Sequence, residues 1–150
     1  MTKKNWVLIS IALVLAAVYV FYFTDWFRPK VIIIHHVSRE MHIARRFPGA
    51  KEALTVPVTF GLEQNYKFTD IKVVVLDAWQ TNQNTLPLWH LVSNSNSVPV
   101  KMFTYGQNIR GMKPAVPGTR AEELQPGITY RLFVKAGSVT GQHDFKPVAR

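Results

Sequence analysis

Residues 6–23 form an uncharged and almost wholly apolar run, and this run is the strongest constraint on how the chain can fold. As a helix rising about 1.5 Å per residue it would span roughly 27 Å, close to the ~30 Å hydrocarbon thickness of a bilayer. Ser10 is its one clearly polar side chain, and in a helix that hydroxyl can bond a carbonyl one turn earlier. Aromatic residues, which suit the headgroup level, gather at its ends: Trp6 at the start, and Tyr19, Phe21, Tyr22, Phe23, Trp26 and Phe27 at the finish.

The run predicts a transmembrane helix over residues 6–27. A cleaved signal peptide is the alternative, because Lys3 and Lys4 could serve as its basic start. Signal peptides, however, have an apolar core of about 7–15 residues followed by a small-x-small cleavage site. This run is longer, and Tyr, Phe, Asp and Trp occupy the place of the small residues. We therefore expect an uncleaved anchor in contact with the lipid bilayer.

The sequence predicts which residues cross the membrane more clearly than it predicts which end of the helix faces the cytoplasm. Two lysines before the helix are matched by Arg28, Lys30 and Arg39 after it, so the positive-inside rule does not decide. A very short basic N-terminus before a long apolar run is typical of a signal-anchor. We expect residues 1–5 in the cytoplasm, a single crossing of the inner (cytoplasmic) membrane, and an extracytoplasmic, periplasmic domain.

Small residues on the helix suggest that it also contacts other helices. Ala12, Ala16 and Ala17 place small side chains at i, i+4 and i+5, which resembles the small-xxx-small pattern of packed membrane helices. The pattern predicts other membrane-protein subunits as partners of the helix.

The remainder of the chain, about 120 residues, is enough for one globular domain with a single hydrophobic core. The absence of cysteine excludes disulfides, thiolate metal sites and cysteine nucleophiles. Residues 31–150 carry 14 Lys/Arg and 8 Asp/Glu, so this part has a net charge of +6. No nucleic-acid recognition motif accompanies the charge, so we expect contacts with lipid headgroups or an acidic partner. The basic residues nearest the helix are Arg28, Lys30, Arg39, Arg45, Arg46 and Lys51.

Short β-rich stretches between turn signals make up the domain, and no clear helical pattern follows Phe27. We assign residues 28–53 to a basic neck that includes a first strand, and residues 54–150 to the β domain. Pro57 suggests that its strand lies at a sheet edge, whereas the apolar run 71–78 suggests a central strand. The predicted strands are residues 31–37, 54–62, 71–78, 86–92, 98–105, 128–136 and 139–146.

Residues 124–136 carry the most specific local motif. Leu124-Gln125-Pro126-Gly127-Ile128-Thr129-Tyr130, then Val134 and Ala136, resembles the Leu-x-Pro-Gly-x-x-Tyr-x-x-x-Val-x-Ala signature in the penultimate strand of fibronectin type III domains. The resemblance implies an all-β, immunoglobulin-like sandwich of about seven strands, with Trp89 in its core. In that family Pro126-Gly127 would form the turn into the strand, and the Tyr130 hydroxyl would bond a backbone group at the corner.

The histidines do not predict a metal site. His35 and His36 are adjacent, so in a strand they point to opposite faces. His42, His90 and His143 are scattered along the sequence, whereas a zinc site needs three or four convergent ligands. We expect no metal and no cofactor, haem included.

Catalytic patterns are equally weak. Ser93 or Ser95 could be combined with His90 and Asp77 as a hydrolase triad, but the chain lacks the Gly-x-Ser-x-Gly elbow. The adjacent carboxylates Glu122-Glu123 lie in a Pro-flanked stretch that is typical of a solvated turn. We expect no enzyme activity and no catalytic residue.

The stretch 106–124 is the longest predicted loop, and loops of this length are usually functional. It contains two prolines and the partner-contact candidates Arg110, Met112 and Lys113. Its apolar residues Ile109, Met112 and Val116 could pack on the domain's own sheet or on a partner.

These features favour a non-catalytic accessory or assembly subunit that braces a larger membrane complex of respiratory, photosynthetic or secretion type. The alternative is a freestanding surface module that binds carbohydrate, peptide or an envelope component through exposed aromatic residues. A small-molecule ligand is not expected.

Overall fold

The structure is a computed structural model, which describes residues 3–23, 30–38, 57–94 and 96–148. The chain divides into two units, Met1–Lys30 and Val31–Arg150. The first contains helix α1 (Lys3–Phe23), and the second contains all the strands that the structure describes. The predicted first strand lies in the second of these units.

Helix α1 has the length and composition that the apolar run predicts. It has a mean hydropathy of 2.4 over its most apolar window, and none of its residues is buried. The Ser10 hydroxyl donates to the Trp6 carbonyl at 3.0 Å, which satisfies the only polar side chain of the run. Tyr19 stacks on Phe23 one turn later, with ring centroids 5.4 Å apart. Trp26 and Phe27, which we assigned to the same helix, lie outside the described residues.

The β unit consists of two antiparallel sheets with a shared core, so the prediction of a mostly β domain after one apolar helix is confirmed. Short strands rich in β-branched and aromatic residues form both sheets. The strands are β1 (Ile34–Ser38), β2 (Val58–Tyr66), β3 (Asp70–Val75), β4 (Trp89–Val92), β5 (Val100–Thr104), β6 (Lys113–Pro114), β7 (Tyr130–Ala136) and β8 (Val139–Phe145), and a short helix α2 (Leu76–Thr81) follows β3.

One sheet has the order β1-β2-β5 and the other the order β6-β4-β3-β7-β8. Strand β3 lies between β4 and β7, as the apolar run predicted for a central strand. The edge position predicted for the strand after Pro57 is wrong, because β2 lies between β1 and β5. Pro57 immediately precedes β2, so its missing N–H removes no hydrogen bond from the sheet interior.

Alternation along the strands produces the core. In β7, Tyr130, Leu132 and Val134 are buried between the sheets, while Arg131 and Phe133 lie on the outer face. Aromatic rings from both sheets meet in the middle. Phe60 of β2 lies 4.9 Å from Phe145 of β8 and 5.3 Å from Phe103 of β5, centroid to centroid. Trp89 of β4 is also buried, as the resemblance implied.

The corner before β7 is built around Tyr130. Gly127 has a φ of +86°, a left-handed conformation that favours glycine, and it lies in the turn that leads into the strand. The Tyr130 hydroxyl accepts a hydrogen bond of 2.9 Å from the backbone N–H of Gln125. Pro126 lies in the same turn and is exposed. This contact ties the loop that precedes β7 to a buried ring.

Two segments differ in type from the sequence prediction, and several strand ends also differ, most of all in β2, which was predicted over residues 54–62 and spans Val58–Tyr66. The strand predicted to reach residue 78 ends at Val75, and α2 continues from it. This helix covers the outer face of the larger sheet: Val74 is fully buried, and the Trp79 ring lies 5.3 Å from Phe133. The run 71–78, which was predicted as one strand, therefore divides into a strand and a helix, and the helix covers apolar side chains on the outer face of the sheet. The second difference is β6, a two-residue strand within the predicted loop 106–124.

Gly141 allows residues 31–32 to lie close against β8 before the chain continues into β1. Residue Val31 forms a parallel bridge with Thr140 of β8, and the Ile32 N–H donates to the Thr140 carbonyl at 3.0 Å. The chain then continues as β1 in the other sheet. A Cβ added to Gly141 would lie 2.8 Å from both the Cβ and the carbonyl oxygen of Ile32. Only glycine therefore allows this close approach.

We expect the variant Gly141→Ala to lower the free energy of unfolding by about 1–3 kcal/mol, because the methyl group overpacks against Ile32. Gly61→Ala is the matched control: it is also a strand glycine, but nothing lies within 4 Å of its added Cβ. The control should change stability by less than about 0.5 kcal/mol. Equal losses in the two variants, measured by denaturant unfolding, would contradict the assignment.

Candidate functional site

Four of the candidate partner-contact residues lie in the part of the chain that the structure describes. Lys30, Arg110 and Lys113 are exposed, whereas Met112 is half-buried and packs against the core. Met112 is therefore a packing residue within the domain. The remaining candidates lie outside the described residues: Arg28, Arg39, Arg45, Arg46 and Lys51.

The stretch 106–124 is held against the domain's own larger sheet, which was one of the two alternatives for it. Ile109 and Leu124 are buried in the core. Backbone hydrogen bonds of 3.0 Å run from Ala115 N–H to the His90 carbonyl and from Glu122 N–H to the Leu88 carbonyl, both on or beside β4. Between these two attachment points, Val116 is exposed.

This stretch borders a cleft of about 1070 Å³ together with β4. Its walls combine apolar and charged side chains. The residues that define it best are Leu86, Trp89, Tyr105, Val116, Arg120 and Glu122. A concave site of this size with a few polar groups is the usual form of a ligand site in proteins.

Tyr105 holds one wall of the cleft in place. Its hydroxyl donates to the Glu122 carbonyl at 2.8 Å, and its ring packs edge-on against Trp89 with centroids 5.3 Å apart. Burial, and secondarily the nearby Glu122 carboxylate, raise the pKa of Tyr105 well above its ordinary value. Tyr105 is therefore a neutral hydrogen-bond donor at physiological pH, and its role is to position the 106–124 stretch.

Of the residues considered for hydrolysis, the structure describes Ser93, Asp77 and His90. The Ser93 hydroxyl donates to the Gly111 carbonyl at 2.7 Å, which makes it a loop contact. Asp77 is exposed on α2. His90 has a different carboxylate beside it, with its Nε2 3.2 Å from Asp70 Oδ1, but this pair lacks hydrogen-bond geometry. Ser95 lies outside the described residues.

Two of the histidines that are scattered in sequence are brought together by the fold. His36 Nδ1 of β1 lies 2.7 Å from His143 Nε2 of β8. Burial, followed by the neighbouring His36, lowers the pKa of His143. His35, by contrast, points outward and is exposed, as strand alternation predicted. Among the residues that the structure describes, no group of three or more His, Asp or Glu side chains could hold a metal ion.

The outer face of the smaller sheet carries exposed apolar side chains next to the exposed His35. Val37 of β1 is 56% exposed and Met102 of β5 is 66% exposed, with Gly61 of β2 between the two strands. The Thr59 and Thr104 hydroxyls on this face bond each other at 3.2 Å. Exposed apolar side chains that lie together on a sheet face are a feature of interface cores.

Comparison with known proteins finds no relative. No family model, no curated protein and no solved structure matches the chain. The function has to be inferred from the molecule's own surfaces.

The outer face of the larger sheet carries a bidentate ion pair. Arg131 Nε and Nη2 donate to the two carboxylate oxygens of Asp144 at 2.6 and 2.7 Å. The guanidinium carbon also lies 5.2 Å from the Trp79 ring centroid, so the pair anchors α2 to β7 and β8. The hydrogen bond from Arg131 lowers the pKa of Asp144.

We expect Asp144→Asn to lower the free energy of unfolding by about 0.2–1 kcal/mol at pH 7, because the pair is partly exposed to solvent. A carboxylate with a lowered pKa contributes stability above its ordinary pKa, and this contribution is lost as the pH falls through its folded value. The difference between wild type and variant should therefore disappear well below pH 4. A difference that is the same at pH 7 and pH 2.5, in denaturant titrations, would contradict this role.

Proposed function

We propose that the protein is a non-catalytic, single-pass membrane protein that acts as an accessory or assembly subunit of a larger membrane complex. Helix α1 would contact lipid and other helices, and the β unit would brace an exposed part of the complex. The observation that carries the proposal is the helix: it is apolar on all sides and has no buried residue. A helix of this composition is stable only where lipid or other apolar helices surround it.

The geometry of the β unit supports a binding role over a catalytic one. Strand order supports an immunoglobulin-like sandwich: lettered along the chain, β1-β2-β5 corresponds to A-B-E, and β4-β3-β7-β8 to C′-C-F-G. The hydrogen bond between Gln125 and Tyr130 resembles the one in a tyrosine corner and supports this proposal. Sandwiches of this kind commonly serve as recognition domains, and the exposed apolar side chains Val37 and Met102 would supply a surface for protein contact.

We further propose that the helix crosses the inner membrane and that the β unit faces the periplasm. The support is the basic pair Lys3 and Lys4 directly before the apolar helix, an arrangement typical of a signal-anchor.

A second candidate function rests on the cleft beside β4. Its size and its mixed lining, with Tyr105, Arg120 and Glu122, favour binding of a peptide or carbohydrate segment by a freestanding surface module. In that case the helix would act as a tether only.

Replacement of residues 6–23 by an unrelated transmembrane helix separates the two functions. If the protein is an accessory subunit, the wild-type chain should co-purify with other membrane proteins from gently solubilised membranes. The chimera should lose them although it still inserts. A chimera that retains every co-purifying protein would favour the tethered module, and a wild-type chain that is monomeric at every detergent concentration would contradict the accessory role.

The small residues of α1 allow a finer test. Ala12→Leu with Ala16→Leu should weaken co-purification at least several-fold, because larger side chains separate closely packed helices. Ile11→Phe is the control, since it adds bulk at similar depth on a side of the helix that lies about 100° or more from Ala12, Ala16 and Ala17. Quantitative mass spectrometry of the purified complexes measures both. If the control disrupts partner binding and the alanine pair does not, the packing face has been wrongly assigned.

A further inference from the structure

Two histidines that are 107 residues apart in the sequence meet where the two sheets come together. His36 lies on β1 of the smaller sheet, and His143 lies on β8 of the larger one. Their facing nitrogens, Nδ1 of His36 and Nε2 of His143, are 2.7 Å apart, and the ring centroids are 4.9 Å apart. Neither ring is fully buried, so solvent can reach the pair.

We propose that His36 and His143 form a two-histidine site for a divalent transition-metal ion, with Cu²⁺ as the ion that the spacing fits best. At a metal–nitrogen distance of about 2.0 Å, two neighbouring ligands of a square plane are about 2.8 Å apart, and two ligands of a tetrahedron about 3.3 Å apart. The observed 2.7 Å is closer to the square-planar value. Cu²⁺ also binds nitrogen ligands more tightly than the other common divalent ions of the first row.

Both facing nitrogens can become metal donors by a change of tautomer. A metal-binding imidazole must be neutral and must present a lone pair to the ion. The contact implies one proton between the two nitrogens. On metal binding, that proton moves to the other nitrogen of the same ring, which leaves both facing nitrogens as lone-pair donors. The step changes neither the charge nor the oxidation state of the protein.

Among the described residues, the charged and titratable neighbours of His143 other than His36 are His35 and Asp144, and neither competes for the facing nitrogens. His35 on β1 points to the opposite face of its strand. Asp144 on β8 follows His143 directly, but both of its oxygens accept hydrogen bonds from Arg131 of β7. Since the described residues offer no third ligand here, water would complete the square plane.

A bound ion would connect the two sheets. Strand β1 is otherwise joined to β8 through the Val31–Thr140 bridge and the Ile32 hydrogen bond. An ion held by one histidine from each strand binds only when the strands are together, so it stabilises the folded form, and this stabilisation grows with the logarithm of the free ion concentration once that exceeds the dissociation constant.

The test uses the full-length protein in detergent micelles, freed of metal with EDTA and titrated with CuCl₂. The wild type should bind one more Cu²⁺ than His36→Gln or His143→Gln, and its electron paramagnetic resonance spectrum should contain a signal from nitrogen-ligated copper that both variants lack. Copper should raise its melting temperature by several degrees more than it raises theirs. His35→Gln and His90→Gln are the matched controls and should behave as the wild type. The amino terminus is the same in all five proteins, so copper bound there cancels in the comparison.

A second measurement needs no variant. Saturating Cu²⁺ should slow the modification of His36 and His143 by diethyl pyrocarbonate at least tenfold in the wild type, while the exposed His35 keeps its rate. Equal copper binding by the wild type and both glutamine variants would overturn the proposal. So would unchanged modification rates at His36 and His143, or a melting temperature that responds to pH and not to copper.

Discussion

The β unit depends on the packing of aromatic side chains between its two sheets. Phe60 and Phe103 come from the smaller sheet, and Phe145 and Trp89 from the larger one, with centroid distances from 4.9 to 6.2 Å. Rings of this size bury large apolar areas, and their contacts fix the spacing of the sheets. Because the inward side chains supply most of the packing, the outward positions can hold charged groups, exposed apolar side chains or the residues that line the cleft.

The segment that precedes β1 connects the two sheets. Residues Val31 and Ile32 pair with β8, and β1 then joins β2 in the other sheet. Gly141 makes the close approach of Ile32 to β8 feasible. This crossing connects the two sheets through the backbone, and it brings His36 next to His143.

The molecule therefore combines a helix that is long and apolar enough to cross a membrane with a β unit in which several polar side chains hold the domain's own loops and helix α2. Tyr105 positions the 106–124 stretch, Arg131 and Asp144 hold α2, and Ser93 bonds a loop carbonyl.

The sequence by itself determined the apolar helix, the β-rich domain and the inward face of β7, because chain length and period-two alternation act locally. It also pointed to the corner at Tyr130, since Pro-Gly and tyrosine lie within one short motif. It did not reveal helix α2, because the apolar residues 71–78 fit a strand until the outer face of the sheet needs a cover. Only the tertiary structure decided that β2 is central, that the 106–124 stretch packs on β4, and that His36 meets His143. Each of these depends on which strands pair across long separations, and no local pattern encodes that pairing.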